Sequence, residues 1–404
     1  MKIFFNLLFF AIFVIVFTAC QKAYMENISF EEFLKEIKNS HSIQREEMVN
    51  NYLSNIGRTP IIVGKNKVHF IWFGEADSVE IEGDFQRGWS TPEKLITIDC
   101  GTFDFFYISY ILPSNSLIQY RLIVDGEAEL DLMNPEVVEE LGSGNRNVFQ
   151  MPDFKHSDAL SYRPEVKAGR IEYRLFQSEN VEFADRLLEI YLPSDYTEEN
   201  HYPVLFVNDG KIKLYTTPFK TVIDNLIYDR LIESIIVVFV PFIERRKEYC
   251  NESLAFAKVI AEEMVPFISK NYSTIDTSDK RGIMGSSMGG NVSMTTALLY
   301  SDIFANVGAQ GGAGGTTICH IDSAFSVYLD RKTKYPLKNI FGSVATFDLE
   351  FPDRDINLLM NARIFHEKLN SHKIEHVYKE YNSGHHDSNW NESIDDILIQ
   401  FFGR

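Results

Sequence analysis

From residue 167 onward, short apolar runs alternate with segments patterned as helices, and this alternation constrains the fold more than any other feature of the chain. "YPVLFVND", "SIIVVFVP", "RGIMGS", "FANVGAQ", "KNIFGSVATFD" and "EHVYKEYN" are the apolar runs. Helices are expected near 218–231, 251–269, from about 288, near 355–370 and through "ESIDDILIQFF". Strands that are apolar throughout are buried on both faces, so helices must cover a mostly parallel sheet from both sides. "GRIEYRLFQSE" and "ADRLLEIYLP" read as an antiparallel pair that opens this half.

The front half follows a different rule. Residues 28–56 read as two short amphipathic helices, with Phe30, Phe33, Leu34 and Ile37 at helical spacing. "KVHFIWFG", "SVEIEGDF", "FDFFYISYILP" and "LIQYRLIVDG" are short runs broken by turn residues, the pattern of a small β-sandwich over 59–152. A polar, proline-bearing linker is expected at 151–166, which puts the start of the second domain at 167.

The first residues differ again. Lys2, a long apolar run and small residues before Cys20 make 1–19 a secretory signal, with 20–58 as a helical N-terminal segment after it. The end of the run resembles a bacterial lipobox, with Phe17 where leucine is usual. A diacylglycerol on Cys20 supplies the two chains that stable anchoring needs. The expected location is therefore the bacterial cell envelope, on its periplasmic or surface face, with the membrane as partner. Cys100, Cys250 and Cys319 are widely spaced and make no disulfide framework.

A net charge of −18 argues against nucleic acid as a partner. No phosphate-binding loop, dinucleotide fingerprint, H-E-x-x-H or paired C-x-x-C is present, and no cofactor is expected. His385 and His386 are adjacent, but neighbours in extended chain point oppositely and no third ligand has a recognisable spacing, so no metal is expected either.

"RGIMGSSMGGN" carries Gly285-Ser286-Ser287-Met288-Gly289. A G-x-S-x-G arises by chance in roughly one chain in ten of this length, so its context must decide. Here it joins an apolar strand to a helix, where a nucleophile elbow has to be. The glycines then have a steric reason, and the Met288 N–H points to where an oxyanion forms at a helix start. A serine needs a base, and the base needs an orienting carboxylate; in this fold both follow the serine on later loops. "IFGSVATFD" ends in Asp348, with Glu350, Asp353 and Asp355 as rivals in the same loop. "VYKEYNSGHHDSNW" carries His385 and His386, and Asp387 is too close to His385 in sequence to reach around its ring.

With "RRKEY" at 245–249, "RGIMGSSMGG", "SDIFANVGAQGG", "VATFD" and "YNSGHHDSNW", this half resembles the esterase D superfamily, in particular esterases related to enterochelin esterase and feruloyl esterases. The resemblance implies an α/β-hydrolase fold over 167–404 and matches nucleophile, acid and base to Ser287, Asp348 and His385. The tryptophan five residues on selects His385 over His386. "GEADSVEIEGDFQRGW" and "LDLMNPEVVEELGSGNRNVFQMP" are similar to the early-set, immunoglobulin-like sandwich that precedes enterochelin esterases. Ala345, Gly311-Gly312 and the "NDG" at 208–210 depart from the family pattern. The second oxyanion donor is then the N–H near Gly210 or Lys211.

The expected reaction is two-step acyl transfer through an acyl-enzyme. The resemblance offers siderophore trilactones and acyl or feruloyl esters on polysaccharide as substrates. Arg245, Glu248 and Tyr249 either line the substrate pocket or hold a loop by an ion pair, while Lys211, Arg245, Arg246 and Lys247 suggest a basic mouth. The alternatives are an acyltransferase of the same fold and an inactive carbohydrate- or ligand-binding lipoprotein. Trp390 is expected behind the histidine loop.

Overall fold

The computed structural model describes residues 28–87, 89, 91–140, 144–180, 182–312, 320–351 and 356–404. The expected leader and Cys20 lie outside these, as do Cys319, Asp353 and Asp355. The chain divides into two compact units between Asp153 and Phe154.

In the first unit, helices Phe30–Asn39 and Ser42–Ile56 precede the strands. Ser29 starts the first helix with a capping box: Glu32 N–H donates to Ser29 Oγ at 3.2 Å, and Ser29 N–H donates to Glu32 Oε2 at 2.9 Å. Phe30, Phe33 and Ile37 share one core with Val49, Tyr52, Ile71, Ile98, Phe105 and Tyr107. The helices therefore belong to the same body as the strands, where the sequence suggested a separate segment. One antiparallel sheet has the order Ile61–Val63, Lys67–Gly74, Asp104–Ile111, Ile96–Asp99. The other has the order Glu93–Lys94, Val79–Gly83, Leu117–Val124, Gly144–Gln150, Val137–Glu140. Phe70 of the first sheet meets Tyr120 and Phe149 of the second at ring separations of 4.7 and 5.5 Å.

The second unit is built on an eight-stranded sheet. Numbered within this unit, its strands are β1 (Arg170–Phe176), β2 (Arg186–Leu192), β3 (Val204–Asn208), β4 (Ile236–Val240), β5 (Arg281–Ser286), β6 (Asn306–Gln310), β7 (Asn339–Ala345) and β8 (Val377–Tyr381). The spatial order is β1-β2-β4-β3-β5-β6-β7-β8. β1 and β2 are antiparallel to their neighbours and the rest are parallel, as expected. The apolar runs follow directly from this arrangement. Along β3, Val204 and Phe206 enter one core while Leu205 and Val207 enter the core on the opposite face. A strand with two dry faces takes apolar side chains along its middle and keeps polar ones for its ends, as with Asn208 here.

The helix expected at 218–231 is Phe219–Tyr228, and a short helix that the sequence reading did not include, Gly210–Thr216, precedes it across Pro218. The one expected at 251–269 is Ser253–Lys258, a π-helical Val259–Met264 and Val265–Asn271. Pro266, which has no N–H to give, falls in the first turn of the last piece.

The expected linker is also corrected. His156 Nδ1 lies 2.6 Å from Glu392 Oε1, and Ser157 N–H donates to Glu392 Oε2 at 2.8 Å. Asn225 Nδ2 donates to the carbonyls of Ala159 and Ser161, both at 2.8 Å. These polar residues are bound to the second unit, which therefore begins at Phe154 and not at 167. One cysteine expectation changes too. Cys250 is disulfide-bonded, with its partner outside the described residues, while Cys100 is free and buried.

Candidate active site

β5 ends at Ser286 and helix α1 of the site, Met288–Leu299, begins two residues later. Ser287 joins them at φ 55° and ψ −126°, a conformation costly for any residue with a Cβ. The turn is closed by Ser287 N–H donating to Gln310 O at 2.7 Å and by Asn291 N–H donating to Ser287 O at 3.0 Å. The flanking glycines are required by contact. A Cβ on Gly285 would lie 2.5 Å from the Gly289 carbonyl, and one on Gly289 would lie 2.4 Å from Asp209 Oδ2. Ser286, the neighbouring hydroxyl, is buried and donates to Gln310 Oε1 at 3.0 Å. Of the two hydroxyls, the one that meets an imidazole is that of Ser287.

The imidazole facing it is that of His385, whose Nε2 lies 2.8 Å from Ser287 Oγ. Its Nδ1 lies 2.7 Å from Asp348 Oδ1. A carboxylate at Nδ1 keeps the proton there and leaves Nε2 free to accept one from the serine. Asp348 lies in the turn after β7 and is itself held in place: Leu349 N–H donates to Oδ1 at 2.8 Å and Ala345 N–H to Oδ2 at 3.2 Å. Burial pushes its carboxyl up, but the His385 charge and these hydrogen bonds together bring it below the ordinary 3.8. His386 is buried and caps the short helix Asp387–Asn391, accepting from Asn389 N–H at 3.2 Å. Of the adjacent histidines, one faces the serine and the other holds the turn.

The Met288 N–H is the first of its helix and has no partner within it, as in any helix start. On the facing side, Asp209 adopts the left-handed conformation at φ 61° and leads into Gly210–Thr216. A Cβ on Gly210 would lie 2.4 Å from the backbone of Phe239 and Val240, so the loop can pass only with glycine there. The first helical bond is Lys213 N–H to Asp209 O at 3.0 Å, which leaves the N–H groups of Gly210, Lys211 and Ile212 without helical acceptors.

Of the readings left open for the 245–249 segment, the structure realises the loop-holding one. Arg245 grips Asp209 with both arms, Nε to Oδ1 at 2.7 Å and Nη2 to Oδ2 at 2.9 Å. Burial lowers the guanidinium, yet Asp209 holds it above its ordinary value. Glu248 is buried and paired with Arg186 at 3.1 Å, and Tyr249 is buried with its hydroxyl accepting from Asp209 N–H at 2.9 Å. Glu248 and Tyr249 therefore cannot line an open pocket; both sit inside. The basic mouth is thinned as well, since Arg245 is committed to Asp209 and Lys247 Nζ donates to Glu182 O at 3.0 Å. Lys211 remains exposed.

The sequence reading missed Lys213. Its side chain is 4% exposed, its Nζ pairs with Asp387, and it lies 4.7 Å from the Trp390 ring centroid. Trp390 in turn meets His385 edge to face at 4.9 Å and 87°, behind the histidine as expected. The available signal was Lys213 on the inward stripe with Gly210 and Leu214. Among the described residues, no group of three His, Cys, Asp or Glu is placed to hold a metal.

The family profile described as "Putative esterase" matches residues 184–401, more than half of the chain. The chain belongs to this esterase family. An uncharacterized protein of Bacillus subtilis (strain 168), YjcH, is 32% identical over 147 residues, covering 35% of this chain and 61% of that one. The endo-1,4-beta-xylanase/feruloyl esterase of Xylanibacter ruminicola is 28% identical over 172 residues, covering 39% of this chain and 24% of that one. The chain thus spans about six tenths and a quarter of these two curated relatives. Among solved structures, the enterobactin esterase FES of Shigella flexneri is similar at a TM-score of 0.65 and 17% identity, covering 87% of this chain and 97% of that one. The ferric enterobactin esterase of Salmonella typhimurium is similar at 0.68 and 16%, covering 85% and 96%. At such identities the likeness carries the fold, and it spans most of this esterase-family chain.

Proposed function

We propose that this protein is a serine carboxylic-ester hydrolase in which Ser287, His385 and Asp348 act as nucleophile, base and orienting acid. The observation that carries the reading is the continuous relay from Ser287 Oγ to His385 Nε2 at 2.8 Å and from His385 Nδ1 to Asp348 at 2.7 Å. His385 takes the Ser287 proton as Oγ attacks the ester carbonyl. The Met288 N–H and an N–H at Gly210 or Lys211 receive the oxyanion. His385 then protonates the leaving alcohol, and water opens the acyl-enzyme by the same steps in reverse.

For the substrate we propose two ester classes, siderophore trilactones and acyl or feruloyl groups on polysaccharide. The first is supported by similarity to enterobactin esterases along both halves of the chain, the second by the sequence match to a xylanase/feruloyl esterase. The two antiparallel sheets of 61–150, joined through Phe70, support reading the front unit as an immunoglobulin-like sandwich. A lipid anchor on Cys20 in the cell envelope is proposed from the sequence, and the bonded Cys250 suits an oxidising compartment. Cys20→Ala should release the protein from membranes or leave it unprocessed; unchanged processing and detergent partition would count against the anchor.

The deciding experiment is covalent labelling. The purified protein should take up one fluorophosphonate and cleave short aryl esters. Ser287→Ala should abolish both, and Ser286→Ala should leave labelling intact because that hydroxyl is engaged with Gln310. A panel of feruloyl and acetyl polysaccharide esters and a catecholate trilactone then ranks the substrates, and sugar acceptors reveal any acyl transfer. A folded protein that neither labels nor cleaves any of them favours the binding-lipoprotein alternative.

A further inference from the structure

Lys213 is an expensive residue to have where it is. A buried ammonium costs several kcal/mol unless it is paired, and a leucine would fill the same space on the inner stripe of Gly210–Thr216. Two contacts occupy the ammonium. It pairs with Asp387, whose side chain is 22% exposed, and it lies over the face of Trp390. Both partners belong to the turn that presents His385, and the Trp390 ring packs at right angles to that imidazole. At its other end, Lys213 makes the first helical bond to Asp209 O, in the loop that leads to the second oxyanion donor.

The charges facing His385 come from several elements. Asp348 bonds its Nδ1 from the turn after β7. Asp387 follows it on its own turn, beside the buried His386. Lys213 approaches from the helix after β3, while Arg245, locked to Asp209, feels the Asp387 charge from the loop after β4. Asp387, two residues beyond His385 on the same turn, is thus a second carboxylate at this turn that does not share the hydrogen bond to the imidazole. Left without a cation, it would hold the imidazolium in its protonated form and slow proton uptake from the serine.

We propose that Lys213 is a positioning residue for ester cleavage: it neutralises Asp387 and braces Trp390, leaving His385 paired with Asp348 alone and tying the helix Gly210–Thr216 to the histidine turn. This inference rests on the reading of Ser287, His385 and Asp348 given above.

The test is the pH profile of kcat/KM on an aryl ester, run beside the fluorophosphonate labelling rate. In Lys213→Met the uncompensated carboxylate favours the imidazolium, so the acidic limb should move up by about one pH unit, with a loss approaching tenfold below the limb and little on the plateau. Asp387→Asn leaves the ammonium uncompensated and should move the limb down by a similar amount. The double variant should return the limb to within a few tenths of a unit of wild type, and Lys213→Arg should keep it there. A packing defect lowers rates but does not produce shifts of opposite sign that cancel. If Lys213→Met does not fold, the downward shift in Asp387→Asn and its cancellation in the double variant still decide. Limbs that stay put, or that move in the same direction in both single variants, overturn the inference. A wild type that neither labels nor cleaves overturns it together with the reading of Ser287; an active wild type with unmoved profiles overturns it alone.

Discussion

At the scale of single residues, Asp348 is bound on every side, by His385, Leu349 N–H and Ala345 N–H. Asp348→Asn keeps the shape but favours the wrong imidazole tautomer, so turnover should fall by roughly 10³–10⁴ while the circular dichroism and melting curve stay native-like. Glu350→Gln, in the same loop, should stay within a few-fold of wild type; the reverse pattern in the two kcat values would transfer the acid's role. Ser287 was legible because an elbow needs small neighbours in sequence, and Gly285 and Gly289 are local. The choice of His385 over His386 required family resemblance, since two adjacent histidines look alike until the backbone shows which one caps the next helix. Lys213 was not legible as a site residue because its partner Asp387 is 174 positions away.

At the scale of elements, the steric fit of the elbow against the loop after β3 gives a sharper expectation than hydrophobic burial. A methyl at Gly289 meets Asp209 Oδ2, and that carboxylate cannot swing aside because Arg245 holds both its oxygens. Gly289→Ala should therefore cost about 1–3 kcal/mol or more in urea unfolding and also disable labelling. The Arg186–Glu248 pair behaves differently. Its side chains are 0% and 3% exposed, so Glu248→Ala strands a buried cation and should cost about 3–5 kcal/mol, while Arg186→Met with Glu248→Leu should come close to neutral. Strands of the second unit were legible because both their faces are dry. The break in the helix expected at 251–269 was less so: Pro266 falls in its last piece, but a π-helical turn such as Val259–Met264 leaves the apolar spacing almost unchanged.

Across the whole molecule, the boundary near 154 makes a prediction that the polar composition of 151–166 hides. A fragment spanning 154–404 should fold and label, whereas one spanning 167–404 loses the His156, Ser157 and Arg163 contacts and should melt several degrees lower by calorimetry. Composition alone made that stretch a linker, because nothing local reveals that Glu392 and Asn225 wait to bind it. Acid stability follows from groups spread over both units. Asp131 and Glu392 are raised above 3.8 and 4.5, chiefly by burial. They stabilise the folded state below their ordinary values, and this contribution is lost as pH rises through their folded values. Asp348 is lowered, so its contribution is present above 3.8 and is lost as pH falls through its folded value. Urea midpoints should therefore fall as pH drops below 3.8 and Asp348 takes up its proton, and fall again as pH rises through the folded values of Asp131 and Glu392; Asp131→Asn should flatten that second fall.

Ser287 at φ 55° also sets how this chain tolerates change. Glycine at that position would relieve the backbone, so Ser287→Gly should raise expression and thermal midpoint even as it silences the enzyme. In a mutational scan scored separately for abundance and for labelling, this is the codon at which the two scores should part most widely. A lineage that had abandoned chemistry would find the gain a single substitution away. Serine at this position gives up backbone ease for a hydroxyl held at the start of a helix.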